Sequence, residues 1–308
     1  RVCFGIYRTD NMNESLSFMC DKASFAVASI KDDTHSFIAY YDDTMLEAAI
    51  KYKTIVDEFD DAIKAGEFKM YLQPQISAKT RRLTGAEALV RRIKPDGTII
   101  SPIDFIPVYE KSGLISRLDR YIWEQAAAKL GEWKKAGINM SISVNISPKD
   151  FYYIDIFNTF AGLIKKYDIE PSNLKIEITE TTIMSDVPNL MGELEELRKA
   201  GFTLEMDDFG SGYSSLNTLK DINVDVLKVD MGFIKETKNV KKSRIILASV
   251  IKMAKELNLL IITEGVETEE QVDNLTKLGC DVFQGYYFSK AIDVNEFEKR
   301  YLYRKKAG

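Results

Sequence analysis

Apolar runs that end in an acidic or amide residue recur along this chain, and stretches of helical period separate them. This rhythm limits the fold more than any other feature. Glu87 follows Thr84-Gly85-Ala86, Asn145 closes Ser141-Ile142-Ser143-Val144, and Glu177 and Glu180 lie in Leu174-Lys175-Ile176-Glu177-Ile178-Thr179-Glu180. Asp207-Asp208 end the run that begins at Phe202, and Lys228 lies in Val226-Leu227-Lys228-Val229-Asp230. Glu264 and Glu267 follow Leu259-Leu260-Ile261-Ile262-Thr263, and Gln284 sits in Val282-Phe283-Gln284-Gly285. Between these runs, residues 191–201 have helical period and close on Gly201, a residue suited to a helix C-terminus. Residues 245–257 read the same way. Strand, polar tip and helix, repeated, predict a mostly parallel α/β barrel, in which chemistry gathers at the strand C-termini.

The 308 residues suffice for one such barrel with a remainder, since a barrel takes about 250. Apolar residues make up 45% and charged residues 29%, which predicts a globular fold. No apolar run approaches the roughly 18 residues of a membrane-spanning helix, and the first residues do not read as a signal peptide. A net charge of -5 argues against a binder of DNA or RNA polymers. It leaves room for an anionic small ligand at a local cationic site.

The rare residues exclude whole classes of chemistry. Cys3, Cys20 and Cys280 have no metal-ligand spacing and read as reduced packing residues of a cytoplasmic protein. The single histidine, His35, lies in the N-terminal segment. The barrel therefore cannot contain Ser-His or Cys-His machinery or a histidine-rich zinc site. A metal site must be built of oxygen ligands, which select hard ions such as Mg²⁺ or Mn²⁺. Asp207-Asp208, directly before Phe209-Gly210-Ser211-Gly212, is the first candidate. Two adjacent carboxylates in a pocket repel each other, and divalent cations would hold them together. A plain turn after a strand fits the pair equally well when it is taken alone.

Three segments are expected. Residues 1–45 read as strand, helix (near Ser15 to Ile30) and strand, a piece too small to bury its own core. It needs either the barrel or upstream sequence, and because the chain opens without Met a fragment of a longer protein is expected. Residues 46–66 read as a linker helix, with Leu46, Ile50, Ile55, Phe59 and Ile63 on one side. Residues 67–308 are the barrel, with a frayed basic tail at Arg304-Lys305-Lys306.

From about residue 66 to 300 the chain resembles the EAL domain, the cyclic di-GMP phosphodiesterase module of bacterial signalling proteins. The matching strings are Glu87-Ala88-Leu89-Val90-Arg91, Val144-Asn145-Ile146-Ser147, Glu177-Ile178-Thr179-Glu180 and the run from Asp207 to Leu216. Leu227-Lys228-Val229-Asp230, Glu264-Gly265-Val266-Glu267 and Gln284-Gly285-Tyr286 complete them in family order. A single three-letter match carries little weight, whereas the ordered series is specific. The first segment is similar to the C-terminal part of a GGDEF (diguanylate cyclase) domain, without that domain's signature loop.

The resemblance implies a modified (β/α)8 barrel of the TIM type with an antiparallel first strand, here Lys69 to Gln75. It implies hydrolysis of cyclic di-GMP to linear pGpG with two Mg²⁺ or Mn²⁺ ions. Glu87, Asn145, Glu177 and Asp207 would hold the first ion, and Asp207, Asp208 and Glu264 the second. Lys228 would orient the attacking water, with Glu264 and Glu267 as further catalytic candidates and no single base assigned. Gln73, Arg91 and Gln284 would contact substrate, Arg91 through paired donors to a phosphate. Pro102 and Phe105-Ile106-Pro107 match the segment beside the guanine pocket, and packing is the equal alternative there. Glu180 and the loop Phe209, Gly210, Ser211, Gly212 match the element that couples metal binding to dimer contacts. A homodimer through the barrel, cytoplasmic location and an upstream sensor or GGDEF domain in a parent protein (membrane-tethered or free) follow as expectations.

Three positions depart from the family pattern: Arg92 where Trp is usual, Thr263 where Ala is usual, and Glu205 where a small residue is commoner. Glu205 has the strand parity of Asp207 and, if inward, needs a partner. None of the three removes a ligand. A non-enzymatic cyclic di-GMP receptor, a dimerising scaffold and a two-metal nuclease for longer strands are the competing readings.

Overall fold

A computed structural model describes residues 2–9, 13–31, 36–185, 187–209, 219–220, 222–231 and 240–303. The chain divides into two compact units, Arg1–Ala65 and Gly66–Gly308. The first carries a parallel pair of strands, β1 (Phe4–Ile6) and β2 (Ile38–Tyr40), joined through the helix Leu16–Ser29. That helix starts at Ser15, whose side chain accepts from the Phe18 N–H. It lies so close to β1 that a Cβ on Gly5 would fall 2.0 Å from the Ala23 carbonyl oxygen. The stretch expected as one linker helix is instead two, Asp43–Asp57 and Phe59–Lys64, separated at Glu58. His35 lies outside the described residues.

The second unit is built on β3 (Phe68–Ser77), β4 (Leu83–Ile93), β5 (Ile99–Ile100), β6 (Ile142–Ile146), β7 (Leu174–Thr179), β8 (Leu204–Asp207), β9 (Val226–Asp230), β10 (Leu260–Glu264), β11 (Val282–Phe283) and β12 (Ile292–Asp293). From β4 through β6 to β11 the barrel strands run parallel, and β3 closes the cylinder antiparallel to both β4 and β11. β5 and β12 are short antiparallel additions outside the closure. The barrel agrees with the reading of strand and helix rhythm, and the reversed strand with what the family resemblance implies. Helices Ile115–Lys135, Ile156–Tyr167, Leu190–Lys199, Val240–Glu256 and Glu269–Leu278 fill the intervals between strands. The glycine expected to close the helix Leu190–Lys199 does so, with Gly201 at φ 94° just past Ala200. No helix among the described residues is long and apolar enough to cross a membrane.

The strands bury both faces, as closure requires. Their outward residues (Ile142, Val144, Ile146; Leu174, Ile176, Ile178; Leu204, Met206; Leu227, Val229) are almost fully buried. The inward residues change character along the axis. Val226, Ile262 and Val282 form an apolar cluster, and the next inward residues on the same three strands are Lys228, Glu264 and Gln284. The polar residues thus share the C-terminal mouth.

Candidate active site

Lys228 stands at the centre of that mouth with no exposed surface. Its Nζ lies 2.6 Å from Glu264 Oε1, 3.4 Å from Glu87 Oε2 and 3.5 Å from Asp207 Oδ1, and it also contacts Glu177 Oε1. These carboxylates come from β4, β7, β8 and β10, so the barrel's closure is what brings them together. Single oxygens of Glu87, Glu177 and Glu264 lie within 4.8 Å of one another. Asn145 on β6 completes the group, donating from Nδ2 to Glu87 Oε1 at 3.4 Å. Its own carbonyl oxygen accepts from Trp123 Nε1 at 2.9 Å, which ties the tip of β6 to the helix Ile115–Lys135.

The cluster carries more negative charge than one ammonium offsets. Burial pushes the Asp207 carboxyl well above the usual range, and Glu264, Glu87 and Asp208 push it further. Burial also pushes Glu264 up to about 7, although Lys228 pulls it down. Burial works to lower Lys228, but Glu264 and Glu87 outweigh it and raise the lysine, which therefore stays protonated. Glu177 Oε2 is buried and accepts no hydrogen bond. Buried carboxylates with unused lone pairs, all-oxygen chemistry and excess negative charge suit hard divalent cations. Glu87, Asn145, Glu177, Asp207 and Glu264 fit as the ligand set. Asp208, next in sequence, adopts φ 55° directly after β8, and burial, Asp230 and Glu87 raise its carboxyl.

A cavity of about 390 Å³ opens beside the cluster and is lined by Gln73, Glu87, Glu264, Glu267, Gln284 and Tyr286, among others. Gln284 is 4% exposed and donates to Glu87 Oε2 and to Gln73 Oε1. Gln73 donates to the Ser289 carbonyl at 3.3 Å. Glu267 sits at the exposed rim of this cavity and is not among the carboxylates that pair with Lys228. A second cavity, of about 110 Å³, is lined by Arg91, Pro102, Ile106, Asp119, Trp123 and Asn145. Leu89 borders both. Arg91 donates to its neighbour's carbonyl at Val90 and lies over the Tyr71 ring. Phe105 points elsewhere: it is fully buried and packs edge-on against Phe68.

Glu180 opens the short helix Glu180–Met184 directly after β7 and is 1% exposed. Phe209 is 4% exposed and its N–H donates to the Lys228 carbonyl at 3.3 Å. Gly210, Ser211 and Gly212 lie outside the described residues. Glu205 does face the interior and finds its partners there, Ser143 Oγ at 2.7 Å and Lys175 Nζ at 2.8 Å. Arg92 pairs with Glu67 at 2.9 Å, and Thr263 Oγ1 lies 3.1 Å from the Cys280 thiol.

Two contributors went unassigned in the sequence. Asp230 lines the larger cavity; its spacing of two from Lys228 on one strand placed it on the same face. Gln75 is buried and bonded to Gln284, and its spacing of two from Gln73 placed it on the same face.

Residues 56–291 match the EAL domain family. The chain is 34% identical over 278 residues to the signaling protein YkoW of Bacillus subtilis, covering 90% of this chain and 35% of that protein. It is 36% identical over 252 residues to the probable cyclic di-GMP phosphodiesterase PdeG of Escherichia coli, covering 80% of this chain and 48% of that protein. It thus spans between about a third and a half of the length of these curated relatives. Among solved structures, the PaMucR phosphodiesterase in complex with c-di-GMP superposes with a TM-score of 0.74 at 32% identity, over 79% of this chain and 99% of that one.

Proposed function

The chain belongs to the EAL domain family, and from that premise we propose that it hydrolyses cyclic di-GMP to linear pGpG with two Mg²⁺ or Mn²⁺ ions. One observation carries the reading. Glu87, Asn145, Glu177, Asp207 and Glu264 converge on one mouth of the barrel, beside a cavity of about 390 Å³. Relatives named as cyclic di-GMP phosphodiesterases, and a c-di-GMP complex of the same fold, support the choice of substrate.

Ions bound there supply Lewis-acid chemistry, polarising a phosphodiester and making water more acidic. The remaining work falls to the chain's own residues. Lys228, protonated and fully buried, holds positive charge where negative charge gathers on the attacking side. Glu264, which faces Lys228 at 2.6 Å, is a candidate proton acceptor on the same side. Gln73, Gln284 and Glu267 orient substrate in the larger cavity, and Arg91 binds phosphate from the smaller one. Leu89 borders both cavities, so a ligand in the larger one lies next to the smaller.

Glu180 and the loop from Phe209 to Gly212 link this site to a homodimer formed through the barrel. The N-terminal strand–helix–strand unit is in keeping with the end of a GGDEF domain in a longer protein that acts in the cytoplasm, where its three free thiols persist.

The test is incubation with cyclic di-GMP and Mg²⁺ or Mn²⁺, followed by chromatography for pGpG, with a chelator control. Tight binding with no pGpG in either metal would replace the enzyme with a receptor. No binding at all would leave a scaffold.

A further inference from the structure

We propose that Gln75 is a positioning residue for the Glu87 carboxylate and acts through the amide of Gln284. The proposal rests on the metal-dependent reading above. Gln75 follows Gln73 by two on β3, so both face the barrel interior. It is 1% exposed, and its Nε2 donates to Gln284 Oε1 at 3.2 Å. Gln284 donates in turn from Nε2 to Gln73 Oε1 at 3.4 Å and to Glu87 Oε2. Both polar ends of the Gln284 amide are therefore used. Turned over, that amide would set its oxygen against the Glu87 carboxylate and its NH₂ against the NH₂ of Gln75. Gln75 thus supports the same end of Gln284 that the acceptors Glu87 and Gln73 call for.

The neighbouring strand makes room for this arrangement. Gln75 pairs with Gly85 across the β3–β4 ladder. A Cβ on Gly85 would lie 3.0 Å from Gln75 Oε1 and 2.7 Å from Ser141 Oγ, so a larger residue would crowd both side chains. Without the Gln75 donor, the Gln284 oxygen is buried and unpaired, and the orientation that serves Glu87 loses its support. Outer residues that orient a ligating carboxylate typically change metal affinity or activity by about 10–100-fold.

The experiment compares the parent chain with Gln75→Met, Gln284→Leu and their combination. Calorimetric titration with Mn²⁺ is read beside steady-state formation of pGpG. Gln75→Met is expected to weaken Mn²⁺ about tenfold and to lower kcat about tenfold or more, with KM changed by less than about threefold. In the Gln284→Leu background the same change should add less than about twofold, because the route through Gln284 is already cut. Gly85→Ala, which crowds the Gln75 amide from the other strand, should reproduce the loss and covers a Gln75→Met that does not fold. Parent-like Mn²⁺ affinity in Gln75→Met and Gly85→Ala, or losses that multiply in the double variant, overturns the proposal. If the parent itself takes no Mn²⁺, the metal-dependent reading falls and this inference with it. If the parent binds and the variants match it, this inference alone falls.

Discussion

Nζ of Lys228 lies 2.6 Å from Oε1 of Glu264, with the lysine fully buried and the glutamate pushed up to about 7. One ammonium thus faces Glu264, Glu87, Glu177 and Asp207 together.

Removing that ammonium leaves several buried carboxylates facing one another. Lys228→Met is expected to lower metal-free stability by about 3–5 kcal/mol, the usual cost of stranding one side of a buried pair. Mn²⁺ should restore part of the loss while turnover stays at least about 100-fold down. Urea denaturation with and without Mn²⁺ reads the first effect and pGpG formation the second. Equal stability loss in both conditions would count against a cation site at this mouth.

Glu177→Gln should behave in the opposite way. It removes one charge from a crowded cluster at nearly constant volume, so metal-free stability should hold or rise. Mn²⁺ binding should fall by at least about tenfold and turnover by about 100-fold or more. Calorimetry and thermal melts on one preparation separate the two effects, and a destabilised variant with normal Mn²⁺ affinity would refute the ligand assignment.

Gly285 allows the loops after β10 and β11 to touch. A Cβ there would fall 2.2 Å from the Val266 carbonyl oxygen and 2.3 Å from its nitrogen, where Val266 N–H donates to the Gln284 carbonyl at 3.2 Å. Gly285→Ala is expected to cost about 1–3 kcal/mol, seen as a lower thermal midpoint, and to reduce turnover by widening the cavity wall.

Asp150 gives a pH-dependent prediction away from the mouth. Burial pushes its carboxyl up to about 6, and the Ser147 N–H, at 2.7 Å, only partly opposes this. Its neighbour Asp119 is also raised, by burial and then by Asp150. A carboxyl raised on folding favours the native state below its ordinary range, and that contribution disappears as pH rises through about 6. Asp150→Asn keeps an acceptor for Ser147 without the charge. It should therefore be more stable than the parent near about pH 8, by on the order of 1–3 kcal/mol, with the advantage gone near about pH 4. Thermal midpoints across that range decide it, and a constant difference would sink the argument.

The site was legible where strand period two applies. Glu87, Asn145, Glu177, Asp207, Lys228 and Glu264 each lie in or at the end of an apolar run, so their common rim could be read from spacing, and the family resemblance supplied the roles proposed for them. The single linker helix was over-read: apolar residues from Leu46 to Ile63 share one side, but the helix breaks at Glu58, because side-chain periodicity carries no information about a local change in backbone course. Glu205 was correctly suspected of facing inward, while its partners Ser143 and Lys175, on other strands, had no local signal.

Alternating side chains along one strand depend only on neighbouring residues, which is why the barrel rhythm and its polar tips are written into the linear chain. The direction of β3, the gathering of four carboxylates around Lys228 with Asn145 beside Glu87, and the relay from Gln75 through Gln284 to Glu87 are of another kind. They join residues that lie up to 209 positions apart, as Gln75 and Gln284 do. Contacts of that range exist only after the cylinder closes, when the stagger between strands sets which side chains share a level.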